Sequence, residues 1–358
     1  MTIAALQPET DAAPAVRLLP AGERLACPDA DLEDMACFPA FDPWTRFVSE
    51  VYRFPVYRFV AQEHGRLAGL LVLVHIRHLL FGNYLATAPF ASYGGFAYVS
   101  TRTRDALLAQ ARALASDLKV DYVNVRFADG QSVPPAGWTQ HPIYSTYRAG
   151  LSPDTEAMLS AYSSDHRNHI RKALRRGFTV RFGGTELLDQ AYEALARSMH
   201  ELGSPYHSRT YLRGMAGSLG PALEFAVVHS PEGHLAGAGV FILQRGVVTN
   251  LHANILRAFR PDYAGEFLYW SVIARYAAKG CAVFDIGRSL NGSGNETFKM
   301  KWKPRKQPLA YWYALREGAA VPELNQKNPR FRMAIRAWQA LPGFVVRPAG
   351  PFLISGLA

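Results

Sequence analysis

The chain reads Glu63-His-Gly-Arg-Leu-Ala-Gly-Leu-Leu-Val-Leu-Val74 and, 168 residues later, Pro231-Glu-Gly-His-Leu-Ala-Gly-Ala-Gly-Val-Phe-Ile242. These two segments are copies of one pattern. In each copy a short apolar strand comes first, a glycine (Gly65 or Gly233) allows a tight turn, and a second apolar strand follows. This order is typical of a β-hairpin, so we predict one hairpin in each half of the chain.

The elements that follow each hairpin also repeat. Residues 105–118 have a helical pattern and residues 122–126 a strand pattern, and residues 265–278 and 282–286 repeat that order. A series of elements that recurs at a nearly constant offset indicates a duplicated unit. We therefore predict two α/β domains of one plan in tandem.

The junction between the two copies is predicted near residue 150. Ser152, Pro153 and Asp154 make a helix start with a hydroxyl cap, a proline and an acidic first turn, and the helix, or a broken pair of helices, ends at Gly177. The predicted segments are an N-terminal extension (1–40), a first domain (41–150), a second, basic domain with the predicted site (151–325) and a C-terminal tail (326–358).

The positive charge of the chain lies in its second part. The 358 residues carry 39 Lys+Arg and 29 Asp+Glu, a formal net charge of +10. Residues 1–150 hold 13 basic and 14 acidic side chains, whereas residues 151–358 hold 26 and 15, a net charge of +11. An excess of this size favours an anionic partner, and the apolar content of 49% excludes a disordered chain.

The cysteines and the N-terminus indicate a reducing compartment. Cys27, Cys37 and Cys281 are too few and too scattered for a disulfide framework. Residues 1–16 lack the basic and apolar regions of a signal peptide, and the longest apolar run, residues 67–74, is far shorter than the roughly 18 residues that span a bilayer. We expect a cytoplasmic protein that is at most peripheral on the inner face of a membrane.

Residues 284–304 carry the first set of side chains suited to chemistry. A strand delivers Asp285 and Arg288 to a loop rich in Gly, Ser and Asn, and the chain then returns in a second strand with Phe298 and Lys299. Ligands bind at the C-terminal ends of strands in open α/β sheets, and a lysine there can stabilise an oxyanion or hold a phosphate. The alternative is a surface loop followed by a solvated run of charges.

A turn at residues 202–211 presents Tyr206 and His207 together. His207 could act as a general base, because an imidazole titrates near neutral pH. The alternative is a hydrogen-bonded turn residue, since no Asp or Glu is spaced to make a triad with it obvious.

Two segments of the second part are basic and helical. Arg167 and Arg171 share one helical face, and Lys172 lies beside them; this face could clamp the phosphates of a nucleotide, a tRNA or an anionic lipid, or be merely solvated. Residues 328–358 combine an arginine-bearing amphipathic helix with an apolar end. Such a tail can lie on an anionic membrane surface or dock onto its own domain.

Several common motifs do not occur in the sequence. It has no Gly-x-Gly-x-x-Gly after a strand and no Walker lysine loop, so neither a dinucleotide nor ATP is indicated. It has no HExxH and no cluster of Cys and His, so no metal site is predicted.

A set of ordered segments resembles the FemAB-like branch of the GNAT acyltransferases, and most closely the FemAB-related proteins of envelope and exopolysaccharide systems. The segments are Pro89-Phe-Ala-Ser-Tyr-Gly-Gly95, His166-Arg-Asn-His-Ile-Arg-Lys-Ala173, Leu202-Gly-Ser-Pro-Tyr206, Phe284-Asp-Ile-Gly-Arg-Ser289, Phe298-Lys299 and Trp302. The resemblance extends from about residue 40 to the end of the chain. It implies an α/β (α+β) fold of two tandem GNAT-like domains, each a mixed, mostly antiparallel sheet flanked by helices.

The resemblance also implies amide formation, in which an amine attacks an activated acyl carbonyl. FemAB-type transferases use aminoacyl-tRNA as donor and an amine on a peptidoglycan precursor as acceptor, and other GNAT-like enzymes use acyl thioesters. The match of the family's Phe-Lys pair to Phe298-Lys299 implies that Lys299 binds the donor or stabilises the oxyanion. Asp285 and His207 are the two candidate proton acceptors, although the amine can also lose its proton to water. The predicted substrate-binding residues are Arg167, Arg171, Lys172, Tyr206, Arg288, Phe298 and Trp302.

Two departures from the family pattern bear on the donor. The chain lacks the long helical arm of some FemA-type enzymes, which disfavours tRNA, and residues 260–267 lack the pyrophosphate loop of CoA-binding domains, which disfavours CoA. We expect an N-acyltransferase with no bound cofactor that moves an acyl group from acyl-CoA or acyl-carrier protein to the amine of a lipid or envelope precursor. The alternatives are an aminoacyl-tRNA-dependent transferase and a non-catalytic RNA- or membrane-binding scaffold.

Overall fold

The computed structural model describes residues 13–20, 22–25, 27, 29–129, 132–322 and 329–357. The strands are β1 (Ala15–Leu18), β2 (Val56–Glu63), β3 (Arg66–His78), β4 (Gly82–Ala86), β5 (Phe96–Tyr98), β6 (Tyr122–Phe127), β7 (Thr139–Gln140), β8 (Tyr144–Gly150), β9 (Thr179–Gly183), β10 (Leu223–His229), β11 (Leu235–Gln244), β12 (Val247–Ile255), β13 (Val283–Asp285), β14 (Ser289–Leu290), β15 (Arg305–Pro308) and β16 (Ala310–Leu315). The α-helices are α1 (Ala30–Ala36), α2 (Asp42–Tyr52), α3 (Thr101–Asp117), α4 (Thr155–Ala161), α5 (Ser164–Arg175), α6 (Leu188–Glu201), α7 (Arg209–Leu219), α8 (Ala264–Ala278), α9 (Gly294–Met300), α10 (Pro329–Ala340) and α11 (Gly343–Ser355).

The repeated segments form the two predicted hairpins. β2 and β3 join through a turn at Gly65, and β10 and β11 join through a turn at Gly233, with φ angles of 75° and 81°. Glycine adopts this left-handed conformation without the steric cost that a side chain would bring. The helix–strand unit then follows as α3 and β6 in the first half and as α8 and β13 in the second, so the duplicated plan is confirmed.

Each domain is built on an eight-stranded sheet. The strand order is β1-β2-β3-β4-β6-β16-β7 in the first sheet, with β5 beside β3, and β14-β8-β13-β12-β11-β10-β9 in the second, with β15 beside β8. Within the part of the chain that the structure describes, β4–β6 and β12–β13 are parallel and the other pairs are antiparallel. The mixed, mostly antiparallel sheets flanked by helices agree with the predicted fold class.

The two sheets exchange strands across the predicted domain limits. β8 falls within the predicted first domain but pairs with β13 in the second sheet, and β16 falls within the predicted second domain but pairs with β6 in the first. β1 pairs with β2, so the predicted N-terminal extension also contributes to the first sheet. The first sheet therefore combines residues 15–140 with 310–315, and the second uses residues 144–308.

Of the two arrangements predicted after residue 150, one helix or a broken pair, the structure has the pair, α4 and α5. Asp154, rather than Ser152, caps α4 by accepting a hydrogen bond from the Ala157 N–H, and Ser163 caps α5 by accepting one from the His166 N–H. A side-chain cap satisfies backbone donors that a helix start leaves unpaired, so the second cap allows a second helix to begin.

The domains are joined by a shared core and by the C-terminal tail. One cluster of buried side chains contains Phe47 and Val74 of the first domain together with Leu195 and Phe225 of the second. At the far end of the chain, the Tyr84 hydroxyl donates to the carbonyl that follows α11, at residue 356 (2.9 Å).

The tail also contacts the second domain. Arg347 on α11 forms an ion pair with Glu193 on α6 (2.6 Å), and the Gln339 amide on α10 donates to the Glu201 carbonyl (2.9 Å). Of the predicted amphipathic helix, residue 328 and the side chains of residues 329–332 lie outside the described part. Among the described residues, no helix combines the length and the apolar character needed to cross a bilayer.

Candidate active site between the domains

A cavity of about 860 Å³ lies between the two domains and is bordered by the tail. Four of its lining side chains are basic and one is a carboxylate, so the cavity suits an anionic ligand. The lining residues include Phe90, Ser92 and Arg126 of the first domain, His207, Asn250, His252, Arg260, Glu266, Gly287, Arg288, Phe298 and Lys299 of the second, and Ile354 and Leu357 of the tail.

One wall of the cavity is the point where β12 and β13 separate. Their parallel pairing ends at Thr249 and Asp285, although β12 continues to Ile255. The pairing of β12 with β11 also shifts register next to Asn250, and such a bulge bends a strand. The bent strand leaves an opening between the two neighbours, into which the cavity extends.

The equivalent point in the first domain is closed by the chain itself. β4 and β6 pair as far as Ala86 and Asn124. Beyond that pair, the Thr87 N–H donates to the Asn124 carbonyl (3.0 Å), and the Thr87 hydroxyl accepts from the Arg126 N–H (2.8 Å). The first domain therefore has no matching opening at these residues, and contributes Arg126 to the wall of the shared cavity instead.

Lys299 is buried in the cavity wall. Its ammonium donates to the carbonyls of Gly287 (2.8 Å) and Arg288 (2.7 Å), which uses two of its three N–H donors and leaves one for a ligand. Burial lowers its pKa to about 7; the charge of Asp285 opposes this shift, and that of Arg288 adds to it. The predicted return strand is wrong here, because residues 298 and 299 lie on α9.

Asp285 supports this turn from behind and does not line the cavity. It accepts hydrogen bonds from the hydroxyls of Tyr93 and Thr146 (2.7 Å for Thr146) and from the Gly287 N–H (2.9 Å). Gly287 has a φ of 81°, and a Cβ there would lie 3.0 Å from the Asn250 carbonyl oxygen. The Asp285 carboxylate therefore holds the turn whose carbonyls bind Lys299. A proton acceptor would have to line the cavity, and Asp285 is not among its lining residues.

His207 lies in a second wall, within a cluster of aromatic rings. Its Nδ1 is 2.7 Å from the Tyr52 hydroxyl, and its ring stacks on Tyr211 with centroids 3.6 Å apart. Burial lowers the pKa of His207 well below its ordinary value, and the neighbouring His252 lowers it further. The imidazole is therefore neutral near pH 7, with one nitrogen that can accept a proton.

Arg288 and Phe298 also line the cavity. The Arg288 guanidinium donates to the Tyr311 hydroxyl and lies over the Tyr144 ring (4.9 Å), so it connects the turn after β13 to β16. The Phe298 ring meets Tyr269 edge to face, with centroids 5.1 Å apart. These two side chains border the same space as Lys299.

The other predicted residues lie outside the cavity lining. Tyr206 is buried beneath the tail, where its backbone approaches Gly350. Trp302 is buried and stacks on Tyr269 (5.7 Å). Both side chains pack in the interior of the domain.

The basic face of α5 is on the outer surface. Arg167 donates to the Ser160 carbonyl (3.0 Å) at the end of α4, whereas Arg171 and Lys172 are exposed. The Lys172 ammonium lies 5.9 Å from the centre of the Tyr263 ring, at the start of α8. The predicted phosphate clamp is therefore beside the cavity and not in it.

Several residues that line the cavity were not identified as site residues from any motif in the sequence. Arg126 reaches the cavity from the first domain, and Asn250 and His252 follow the separation of β12 from β13. Arg260 lies just before α8, whose first turn follows the left-handed Tyr263 and has no side-chain cap. Uncapped amides at a helix start attract anions, so Arg260 and α8 form an anion-attracting edge of the cavity.

Comparisons with known proteins find the same fold in acyltransferase domains. Residues 162–300 match the family model described as an acetyltransferase (GNAT) domain. The chain resembles FemX over 82% of its own length and 97% of that chain (TM-score 0.62, 12% identity). It also resembles a tandem GNAT protein from the clavulanic acid biosynthesis pathway (86% and 100%, TM-score 0.51, 13% identity) and L-PGS from Bacillus licheniformis (77% and 87%, TM-score 0.50, 13% identity).

At such identities these structures establish the fold, which is a tandem pair of GNAT-like domains. No curated protein matches the chain by sequence. The domain with the matched family model is the second one, the same domain in which β12 and β13 separate.

Proposed function

Because residues 162–300 form a GNAT-type acyltransferase domain, we propose that the chain transfers an acyl group from an activated donor to an amine bound in the interdomain cavity. The observation that carries the proposal is Lys299, a buried ammonium with one unused donor at the opening between β12 and β13. Preorganised donors of this kind stabilise charge that develops on a carbonyl oxygen.

The reaction forms one C–N bond and breaks one bond to the leaving group. The lone pair of the amine attacks the acyl carbon, and the carbonyl oxygen becomes an oxyanion that the free N–H of Lys299 stabilises. Collapse expels the donor's thiolate or alkoxide, and the proton of the amine passes to a base or to water, from which the leaving group is reprotonated. Arg288 and Phe298 border the acyl group, because they line the same space.

His207 is the proton acceptor that the geometry favours over Asp285. It lines the cavity and its low pKa keeps it neutral, whereas the Asp285 oxygens accept three internal hydrogen bonds. His207 Nδ1 hydrogen-bonds with the Tyr52 hydroxyl. The role requires Nδ1–H to donate in this bond, so that Nε2 is the nitrogen without hydrogen.

A thioester donor is the first candidate. Beyond Thr249 no strand of the described residues pairs with the side of β12 that faces β13. The backbone of β12 can therefore bind the amides of an extended thioester arm as a strand would. The Arg260 side chain and the start of α8 then meet the anionic groups of the donor. We propose acyl-CoA or acyl-carrier protein on these grounds.

An aminoacyl-tRNA is the second candidate, favoured by one observation. The exposed basic face of α5 is next to the edge of the cavity. Lys172 lies over the Tyr263 ring and Arg176 forms an ion pair with Asp262 (2.8 Å), and both partners come just before α8. A polyanion whose acyl end occupied the cavity would cross this face. Its affinity would fall steeply with salt.

Parallel incubations test the function and separate the donors. The chain is supplied with an isotope-labelled acyl-CoA, acyl-carrier protein or charged tRNA, together with lipid and envelope-precursor amines, and the amide products are scored by mass spectrometry. We expect labelled amide from one donor class, and at least about 10²-fold slower formation of it with Lys299→Met. Amide formation at the same rate by Lys299→Met, or no product from any donor, would contradict the proposal.

A lipid or envelope acceptor requires the chain to reach a membrane surface, and we place that contact at Leu79, Leu80 and Phe352. Their exposed fractions are 90%, 61% and 49%, and Phe352 packs on His78, next to Leu79. Residues 326–358 add five basic and no acidic side chains. An exposed apolar patch, in a protein whose C-terminal tail is basic in sequence, fits an anionic bilayer.

Vesicle flotation tests this membrane contact. The chain should float with vesicles that contain an anionic phospholipid and remain free of zwitterionic ones. Replacing both Leu79 and Leu80 by Asp should abolish flotation, while Val133→Asp, at another exposed apolar position (75%), serves as the matched control. Equal flotation of the two variants would remove the patch from the proposal.

A further inference from the structure

We infer that His166, His169 and Glu266 form a binding site for a divalent transition-metal ion, with Zn²⁺ as the expected occupant. His166 and His169 are three residues apart on α5, and Glu266 lies in the first turn of α8. One ligand atom from each residue can be chosen so that all three lie within 4.8 Å of one another. The site therefore joins the two helices.

His166 is the strongest reason for the inference. It is 1% exposed, and among the residues that the structure describes neither of its ring nitrogens has a hydrogen-bond partner. Buried polar atoms without a partner are rare, and each one calls for an explanation such as a bound water or ion.

His169 is already oriented as a metal ligand. Its Nδ1 is buried without a partner, while its Nε2 faces the Asp165 carboxylate at 3.5 Å. A carboxylate opposite the free nitrogen of a histidine is the usual second contact of a metal-bound imidazole. The ring also stacks on Tyr263 with centroids 4.4 Å apart, which restricts its rotation.

Two imidazoles and one carboxylate match the preferences of zinc, with a fourth position left for water or a ligand. Bonds of about 2.0–2.1 Å in a tetrahedron place ligand atoms about 3.3 Å apart, so the site must contract as the ion binds. Glu266 also lines the interdomain cavity. An ion here would therefore link α5 to the part of α8 that lines the cavity.

The competing occupant is the Lys301 ammonium, which lies 3.7 Å from the Glu266 carboxylate. The Lys301 side chain is 37% exposed, so it can swing to solvent when an ion enters. As a like charge it must weaken metal binding. Removing it distinguishes the two occupants, because a metal site then becomes tighter.

The experiment is a Zn²⁺ titration of the untagged full chain, stripped with chelator, by calorimetry, with Co²⁺ absorption as a spectroscopic readout. About one Zn²⁺ per chain should bind. His169→Ala and the near-isosteric Glu266→Gln should each weaken binding at least about tenfold and abolish the visible bands of four-coordinate Co²⁺. Lys301→Ala should tighten binding, and His234→Ala, at an exposed histidine, should leave it unchanged.

Unfolding in metal-free buffer shows whether each variant is folded, and Glu266→Gln serves if His169→Ala is not. The inference is overturned if the native chain binds no Zn²⁺ at millimolar concentration, or if Glu266→Gln binds as tightly as the native chain. It is also overturned if Lys301→Ala gains no affinity, because the ammonium would then not be competing for the same position.

Discussion

At the scale of single residues, the proposed chemistry depends on the third N–H of Lys299. Lys299→Met keeps the length and apolar packing of the side chain but removes the charge and the donors. We expect kcat to fall by about 10²-fold or more, the usual loss when a donor to an oxyanion is removed. Steady-state kinetics with the donor identified by mass spectrometry measure the change.

Lys303→Met is the matched control for this variant, because Lys303 is exposed and only four residues away. It should retain native turnover. Since Lys299 also holds the carbonyls of Gly287 and Arg288, thermal unfolding must accompany the kinetics. A loss of less than threefold in a folded Lys299→Met protein would exclude Lys299 from the transition state.

The pH dependence provides a second test of Lys299. Its pKa is lowered to about 7, mainly by burial, so the ammonium is present below pH 7 and lost above it. The part of the activity that depends on the Lys299 charge should therefore decline as the pH rises through about 7. Deprotonation of the acceptor amine has the opposite effect and raises the rate with pH. In Lys299→Met, the plot of kcat/KM against pH should lose its decline on the alkaline side. If that decline is unchanged, it belongs to the titration of another group.

Single residues were predictable from sequence only where a segment carried its own signal. Lys299, Arg288 and Phe298 belong to segments that resemble a family, and all three line the cavity. Arg126 reaches the cavity from the other domain, and the Tyr52 partner of His207 is 155 residues away in the chain. Contacts of that kind depend on how the domains pack, which a local pattern does not contain.

At the scale of elements, α9 shows how a helix can resemble a strand in the sequence. The sequence predicts a return strand with Phe298 and Lys299, but Ser293 and Glu296 stabilise the start of a helix there. The Ser293 hydroxyl accepts from the Glu296 N–H (3.3 Å), and the Glu296 carboxylate accepts from the Gly292 N–H (2.5 Å). The Ser-x-x-Glu spacing was the available signal for a helix start.

The cap of α9 should affect turnover as well as stability. Ser293→Ala removes the N-cap and should reduce the free energy of unfolding by about 1 kcal/mol, and it should also lower kcat because α9 carries Lys299. Ser163→Ala removes the equivalent cap of α5 and is the matched control, with a similar stability loss but native kcat. Chemical denaturation and steady-state kinetics measure the two effects. If both variants lose kcat equally, the link between α9 and the site is not supported.

At the scale of the whole molecule, the duplication was visible in sequence but the exchange of strands was not. An apolar strand such as β16 shows in its composition that it will be buried, yet not which sheet will pair with it. β8 comes before the sequence junction near residue 150 but pairs with β13, β14 and β15. The pairing is decided by long-range contacts between the two domains, so the local pattern that predicts the junction does not predict which sheet each neighbouring strand joins.

The exchange predicts which fragments of the chain can fold. Residues 151–325, the second domain as the sequence divides it, lack β8 and retain β16, whose partners β6 and β7 lie in the first sheet. Residues 144–308 contain all the strands of the second sheet. We expect cooperative thermal unfolding and native-like circular dichroism from 144–308 and neither from 151–325.

The two fragments should differ because β8 is an interior strand of the second sheet. Without β8, one edge of β13 is unpaired, and β14 and β15 lose their strand partner. Unpaired edges of this kind promote aggregation. Both fragments lose the core shared with the first domain, so this loss cannot account for a difference between them. Cooperative unfolding of 151–325 at the same temperature as 144–308 would show that β8 is dispensable and that the exchanged strands do not define the folding unit.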